Sequence, residues 1–522
     1  MTRPMSAKGI LKNTFTVGAF TALSRVLGLV REMLQSRLVG AGMEQSAFTL
    51  AFAIPNMARK LFGEGALTAA FVPVFKGEVE EESLEKAAKL ARAVMTMVVL
   101  MLCAIVFLCV GALESVVKFR AELGLNDMER LKLTMRLVKT LLPYMIFICG
   151  AAFGMGVLNA LGRFKASSFM PCLLNVCWIG MLAYLSFMPD MRLDQRIHRI
   201  AMAILAAGAL QMAFMMWRMA KAGVSPLPSF RGWNSPKVRL VWRNIGIAAV
   251  GAGAIQINYM LDQFLAQTAS PWAAGVIGYA ERLMDLPLGI IGAAFGTVLL
   301  PTFAGFFAKK DVDGAREALS SSVNSLMFVM LPAAAGLFVL APEITSVIYE
   351  GKAFDSISTV RVSRAVAVYA LGLGFFGLQK SLVPWFQAQG DMKTPLKVSV
   401  WTVGLNATLN IAAVVFLPVE WRHVGLAAST VVCAAVGCAV LAIFARRKNG
   451  HIGLHFCVKP IVRISVAALA MAAAIAFARP FVRFGAIVSL GILIFLGMAS
   501  YAAFAAVLMP DALRKAMRRR RR

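Results

Sequence analysis

Apolar residues run in stretches of roughly twenty along almost the whole chain, each closed by a polar or Gly/Pro-rich connection. Twenty residues wound at about 1.5 Å each is the length a helix needs to cross the hydrocarbon core of a bilayer. About fourteen such stretches are expected, centred near Phe20, Phe52, Val99, Ile148, Cys177, Leu205, Ala254, Ile290, Met330, Gly372, Leu405, Val436, Ala470 and Leu493. In lipid only helices and closed barrels satisfy every backbone group, and runs this long and continuous exclude the barrel. The pattern therefore predicts an all-α polytopic membrane protein with about fourteen transmembrane helices.

The stretches repeat. Ala66–Phe75 (ALTAAFVPVF) lies over Ala294–Phe303 (AFGTVLLPTF), which places Pro73 over Pro301 at an offset of 228 residues. Ala160–Lys165 lies over Ala388–Lys393 at the same offset, and so does Gln35 over Gln263. An offset of this length holds six helices, and an even number restores the orientation. Two six-helix lobes are thus predicted, related by a pseudo-two-fold axis along the membrane normal. The expected boundaries are 1–222 for the first lobe, 223–450 for the second, and 451–522 for an appended helix pair with a basic tail. That pair is expected at Pro460–Ala478 and Gly485–Leu508.

Composition sharpens the membrane reading. Of 522 residues, 59% are hydrophobic and only 15% charged, against about a quarter charged in soluble domains. The formal charge of +28 collects in short connections and in the run Arg518–Arg522, the placement that fixes membrane orientation rather than one that binds nucleic acid. With both termini inside, about 30 Lys/Arg fall in inner connections against about 14 outside. The connection from Arg218 to Arg243 holds six basic residues and no acid. Both termini are predicted to be cytoplasmic. The first apolar run, from about Asn13, lacks a small-residue cleavage site and reads as a helix, not a secretory signal. Cys103, Cys109, Cys149, Cys172, Cys177, Cys433 and Cys438 fall inside apolar runs, with Cys457 beside a connection, and read as small hydrophobes rather than disulfide partners.

Charge inside the spans changes the picture again. Helix 1 carries Arg25 near the midplane and Arg31 one to two turns on; helix 2 carries Asn56, Arg59, Lys60 and Glu64. Helix 7 carries Asp262, helix 8 carries Glu281, Arg282 and Asp285, and helix 10 carries Lys380. Each buried charge costs at least about 2.5 kcal/mol, so such residues normally face a cavity or pair. Local pairing is open to Arg25 with Glu32 and to Arg282 with Asp285. In the first half, four cations face only Glu32 and Glu64, an excess of two. Arg25 and Arg31 also point roughly 120° apart at about 100° per residue, so one stripe of acids cannot serve both. A hydrated, anion-receptive cavity follows. Arginine's planar fork suits phosphate and carboxylate, which favours a phosphorylated substrate over a cationic one. The four histidines lie in or beside connections without metal-ligand spacing, and neither a GxSxG nor a P-loop is present. An enzyme is not expected, nor is a bound cofactor.

The segment Ser24–Glu32 (SRVLGLVRE), followed by Phe52–Phe75 (FAIPNMARKLFGEGALTAAFVPVF), strongly resembles the MurJ/MviN family of lipid II flippases. Those proteins belong to the multidrug/oligosaccharidyl-lipid/polysaccharide exporter superfamily. Tyr279–Pro301 resembles the family's helix 8, and the likeness extends over nearly the whole chain. It implies transport of the undecaprenyl-pyrophosphate-linked peptidoglycan precursor, lipid II, from the inner to the outer leaflet. It further implies that Arg25, Arg31, Arg59 and Arg282 receive the pyrophosphate, that Asn56, Glu64 and Asp285 occupy functional positions, and that the appended helix pair holds the lipid tail. A sodium site found in some members points to Asp262, Asn406 and Asn410 as oxygen donors, with coupling to sodium or to the membrane potential. Other cell-wall synthesis proteins are candidate partners. Two positions depart from the family pattern: Ser46 stands where an aspartate is usual, with Glu44 nearby, and Asp285 stands for a glutamate. A cation-coupled drug or glycan exporter of the same superfamily would want a cavity of acids. A non-transporting scaffold or regulator of wall synthesis is the alternative of another class.

Overall fold

The computed structural model describes residues 7–61, 67–122, 128–230 and 232–509. Among them the regular structure is helical throughout, in seventeen α-helices. The first nine are α1 (Ala7–Val39), α2 (Met43–Ala58), α3 (Leu67–Glu81), α4 (Leu84–Glu122), α5 (Met128–Leu141), α6 (Tyr144–Ala160), α7 (Phe164–Ser186), α8 (Leu193–Ala220) and α9 (Pro236–Ala269). The remaining eight are α10 (Ala273–Ala308), α11 (Val312–Val339), α12 (Ala341–Tyr349), α13 (Ser356–Gln387), α14 (Lys393–Phe416), α15 (Val419–Asn449), α16 (His455–Ala478) and α17 (Ala486–Leu508).

All fourteen expected centres fall inside helices. Two of the extra elements have local causes. Pro143, which lacks an N–H, separates α5 from α6 within one apolar stretch. A short helix, α12, is started by Pro342. Ten helices are long and apolar enough to cross a membrane among the described residues. The stretches around Phe20, Phe52, Ala254 and Ile290 are not in that set. The described part of α1 holds Arg25, Arg31 and Glu32 close together, which lowers its hydropathy.

The chain divides into two compact units: Met1–Gln267 with Gly351–Phe354, and Thr268–Glu350 with Asp355–Arg522. In the first, α1 packs on α7, α2 on α5, and α6 and α7 on α8. Its core is built from residues such as Phe71, Phe75, Phe153, Tyr144 and Trp178. In the second, α13 packs on α10, α11 and α15, α14 lies on α15, and α16 joins α11 to α17. Helices α16 and α17 belong to this second unit. Phe303, Trp385 and Phe386 centre that unit's core. All eight cysteines are free, and five are buried, including Cys457.

Local geometry carries the 228-residue repeat. Gly162 follows α6 with φ +73°, and Gly390 follows α13 with the same φ. The amide of Arg163 reaches back to the Leu158 carbonyl at 2.8 Å, as Asp391 reaches Phe386 at 3.0 Å. Gly162 and Gly390 likewise donate to Asn159 and Gln387, each at 3.0 Å. This left-handed helix stop needs glycine because a Cβ is disfavoured there. Phe75 and Phe303, one offset apart, are both fully buried. At Gly162 and Gly390 an added Cβ would have nothing within 4 Å, so replacement by alanine meets only the backbone penalty. Gly162→Ala and Gly390→Ala should each cost about 1 kcal/mol, and asparagine at either site should cost less. Thermal unfolding in detergent reads both; a loss confined to one of the pair would break the equivalence. In the second copy Asp391 also caps α14 through the Thr394 amide, 3.0 Å away. The Lys448 ammonium, 2.8 Å away, holds its carboxyl down to about 2.

Candidate functional site

The charged residues predicted inside the spans separate into packed and open groups. On α1, Arg31 and Glu32 form an ion pair with side chains only 13% and 15% exposed. Consecutive residues on a helix point apart, so this pair closes through the length of the arginine stem. A second Arg31 nitrogen donates to Asn175 Oδ1 at 3.0 Å, and the guanidinium carbon lies 4.3 Å above the Trp178 ring. Its Nε is buried with no hydrogen-bond partner, a donor held out of water and unused.

The support for Arg31 comes from α7. Asn175 and Trp178 are three apart on one face of that helix, so both look onto α1. The Asn175 amide donates in turn to the Ser24 carbonyl at 3.0 Å, fixing which end accepts from Arg31. Trp178 is held edge-on by Phe48 and Phe52 of α2, with ring centres 5.7 and 5.5 Å away. Neither Asn175 nor Trp178 figures in the sequence expectations. A lone asparagine in the apolar run SSFMPCLLNVCWIG, three residues before a tryptophan, is the signal that marks them.

Arg25 is exposed, about two turns before Arg31. The structure thus gives the two arginines different settings, one packed and one open. The stretch Arg59–Leu61 winds as a π-turn, a feature frequent at functional sites. There Arg59 Nε donates to Asn56 Oδ1 at 3.1 Å, so these two expected residues are brought together. Lys60 places its ammonium 5.1 Å from the Tyr259 ring centre. Glu64 lies outside the described residues. Ser46 is fully buried on α2, and its carbonyl accepts from Gln267 at 2.6 Å. Asp262 accepts from Asn258 at 3.2 Å.

In the second unit Arg282 and Asp285 are exposed on α10, three residues apart, with Glu281 between exposed and buried. Asn406 and Asn410 are buried on α14, and the Asn410 amide donates to the Asn406 side-chain carbonyl at 2.5 Å. Lys380 is exposed on α13. Among the described residues no group of three or more His, Cys, Asp and Glu is arranged to hold a metal.

Within the first unit, a packed arginine, Arg31, and an exposed one, Arg25, on a single helix are what a site for an anionic headgroup needs. Comparison decides the family. The family model described as lipid II flippase MurJ matches residues 35–496. The chain belongs to the MurJ lipid II flippase family. A probable lipid II flippase MurJ of Rhizobium tropici is 33% identical over 403 residues, covering 77% of this chain and 75% of that one. That of Vibrio cholerae is 32% identical, covering 83% and 82%. Among solved structures, a lipid II flippase MurJ in an inward closed conformation superposes with a TM-score of 0.76 at 22% identity, covering 95% of this chain and 99% of that one. An inward-facing multidrug MATE transporter gives 0.68 at 14% identity, covering 82% and 95%. These likenesses show that the chain shares the fold of those two transporters. The protein is a multi-pass membrane transporter of a flippase family, not a catalyst of bond chemistry.

Proposed function

We propose that the chain carries lipid II from the inner to the outer leaflet of the bacterial cytoplasmic membrane by alternating access. The observation that carries this reading is the Arg31 cluster: a charged donor set, held by Asn175 and Trp178, whose remaining Nε–H is desolvated and unsatisfied. Arginine in such a setting binds phosphate oxygens strongly. In this reading Arg25, Arg31, Asn56, Arg59 and Arg282 receive the pyrophosphate, with Glu64 and Asp285 adjusting the charge. The polyprenyl tail stays in lipid beside α16–α17, and both termini are cytoplasmic. Coupling runs through sodium at Asp262, Asn406 and Asn410, or through the potential, where one charge crossing 100 mV gives about 2.3 kcal/mol. Contacts with other wall-synthesis proteins belong to the same proposal.

Conditional depletion in the source bacterium tests it. Lipid-linked precursor should build up in the inner leaflet as wall synthesis stops. Growth arrest without that accumulation would overturn the assignment.

A further inference from the structure

In the second unit, the starts of α13 and α15 shape an open pocket of about 270 Å³ lined by Ser356, Ile357, Val360, Arg361, Arg364 and Glu420. It is smaller than the roughly 300–1,000 Å³ of sites that take drug-sized molecules. A single headgroup is nearer its scale.

The two arginines are built in by stacking. Arg361 lies with its guanidinium carbon 3.8 Å over the Trp272 ring, and Arg364 lies 4.6 Å over Trp421. Trp272 is itself held edge-on by His423, which is fully buried, at 5.0 Å between ring centres. His423 Nε2 lies 3.1 Å from the Arg361 carbonyl and donates to it, which fixes the backbone beneath the guanidinium. Stacking uses the flat faces of a guanidinium and leaves its edge of N–H donors open.

Those edges are unspent. Among the described residues neither Arg361 nor Arg364 makes a side-chain hydrogen bond or ion pair. The neighbouring Arg422 does, giving its donors to the Leu417 and Ala269 carbonyls at 3.2 and 3.1 Å. Asp355 is occupied in capping α13 through the Ser358 amide. Glu420 is the single acid in the lining, and Asp355, just before α13, adds a second negative charge that acts on Arg361 from its capping position. Ile357, Val360, Val419 and Trp421, all large and apolar, are exposed around it. In a membrane protein such residues face lipid, with tryptophan at the headgroup level.

We propose that this cavity binds the phosphate of an anionic phospholipid headgroup, clamped between Arg361 and Arg364. The site stands apart from the residues assigned to flipping and does not rest on that assignment.

Delipidated full-length protein in detergent, titrated with phosphatidylglycerol and followed by native mass spectrometry, tests the proposal. The double variant Arg361→Gln/Arg364→Gln should bind at least about tenfold more weakly, having lost two charge-assisted contacts. Glu420→Gln should bind more tightly than the wild type, because the acid opposes a phosphate. That gain separates the site from a variant that simply folds poorly. Unchanged affinity in the double variant, or no gain in Glu420→Gln, would overturn it. So would displacement by inorganic phosphate alone without any preference for phosphatidylglycerol over phosphatidylcholine.

Discussion

An Arg31→Ala variant is expected to lose both flipping and stability, whereas Arg25→Ala loses flipping and keeps its melting temperature. The difference lies in packing. Arg31 is 13% exposed and closes an ion pair with Glu32, a bond to Asn175 and a stack on Trp178. Removing it takes away the ion pair and the stack together, and breaking a largely buried pair on one side costs on the order of 3 kcal/mol. Arg25 is exposed on the same helix, and exposed substitutions usually change stability by less than about 0.5 kcal/mol. Each arginine's loss should still cut transport of labelled lipid II in proteoliposomes by about tenfold or more, as a lost charge-assisted contact to phosphate implies. A normal melt for Arg31→Ala, or wild-type flipping in Arg25→Ala, would contradict this division of roles.

That division is also where sequence reading stops. The alternation of apolar runs and connections places fourteen of the seventeen described helices, all but α3, α5 and α12, because in lipid the backbone has no other way to bond. The repeat is legible because a left-handed glycine stop recurs at Gly162 and Gly390. Arg25 and Arg31 stand out in the sequence as costly charges in an apolar run. What spacing does not reveal is the partner. Spacing offers Arg25 as a partner for Glu32, seven residues on, and gives no sign that the adjacent Arg31 bonds it as well. Side-chain reach decides that bond. Asn175 lies 144 residues beyond Arg31, and only the packing of α1 on α7 brings it and Trp178 to that arginine.

The end of the same helix supports the second large effect. Gly40→Ala should destabilise the protein by about 3 kcal/mol or more, well beyond the similar change at Gly162. Both glycines have positive φ, +79° and +73°, so the backbone penalty is shared. Their surroundings differ. At Gly162 a Cβ meets open space, while at Gly40 it would fall under 3.0 Å from the Ala353 carbonyl oxygen, a backbone atom. The segment Gly351–Phe354 cannot easily retreat. The Ala353 amide donates to the Arg37 carbonyl at 3.3 Å, Phe354 is fully buried, and a Cβ on Gly351 would itself lie 2.6 Å from Arg37 Cγ. Forcing the segment off α1 frees the last turn of the helix that carries Arg31. The expected signature is faster hydrogen exchange at the Ala353 amide, a fall in melting temperature larger than that of Gly162→Ala, and weaker flipping. Equal losses for the two glycine variants would mean that the 351–354 segment yields at no cost, and that the end of α1 is held by its own backbone alone.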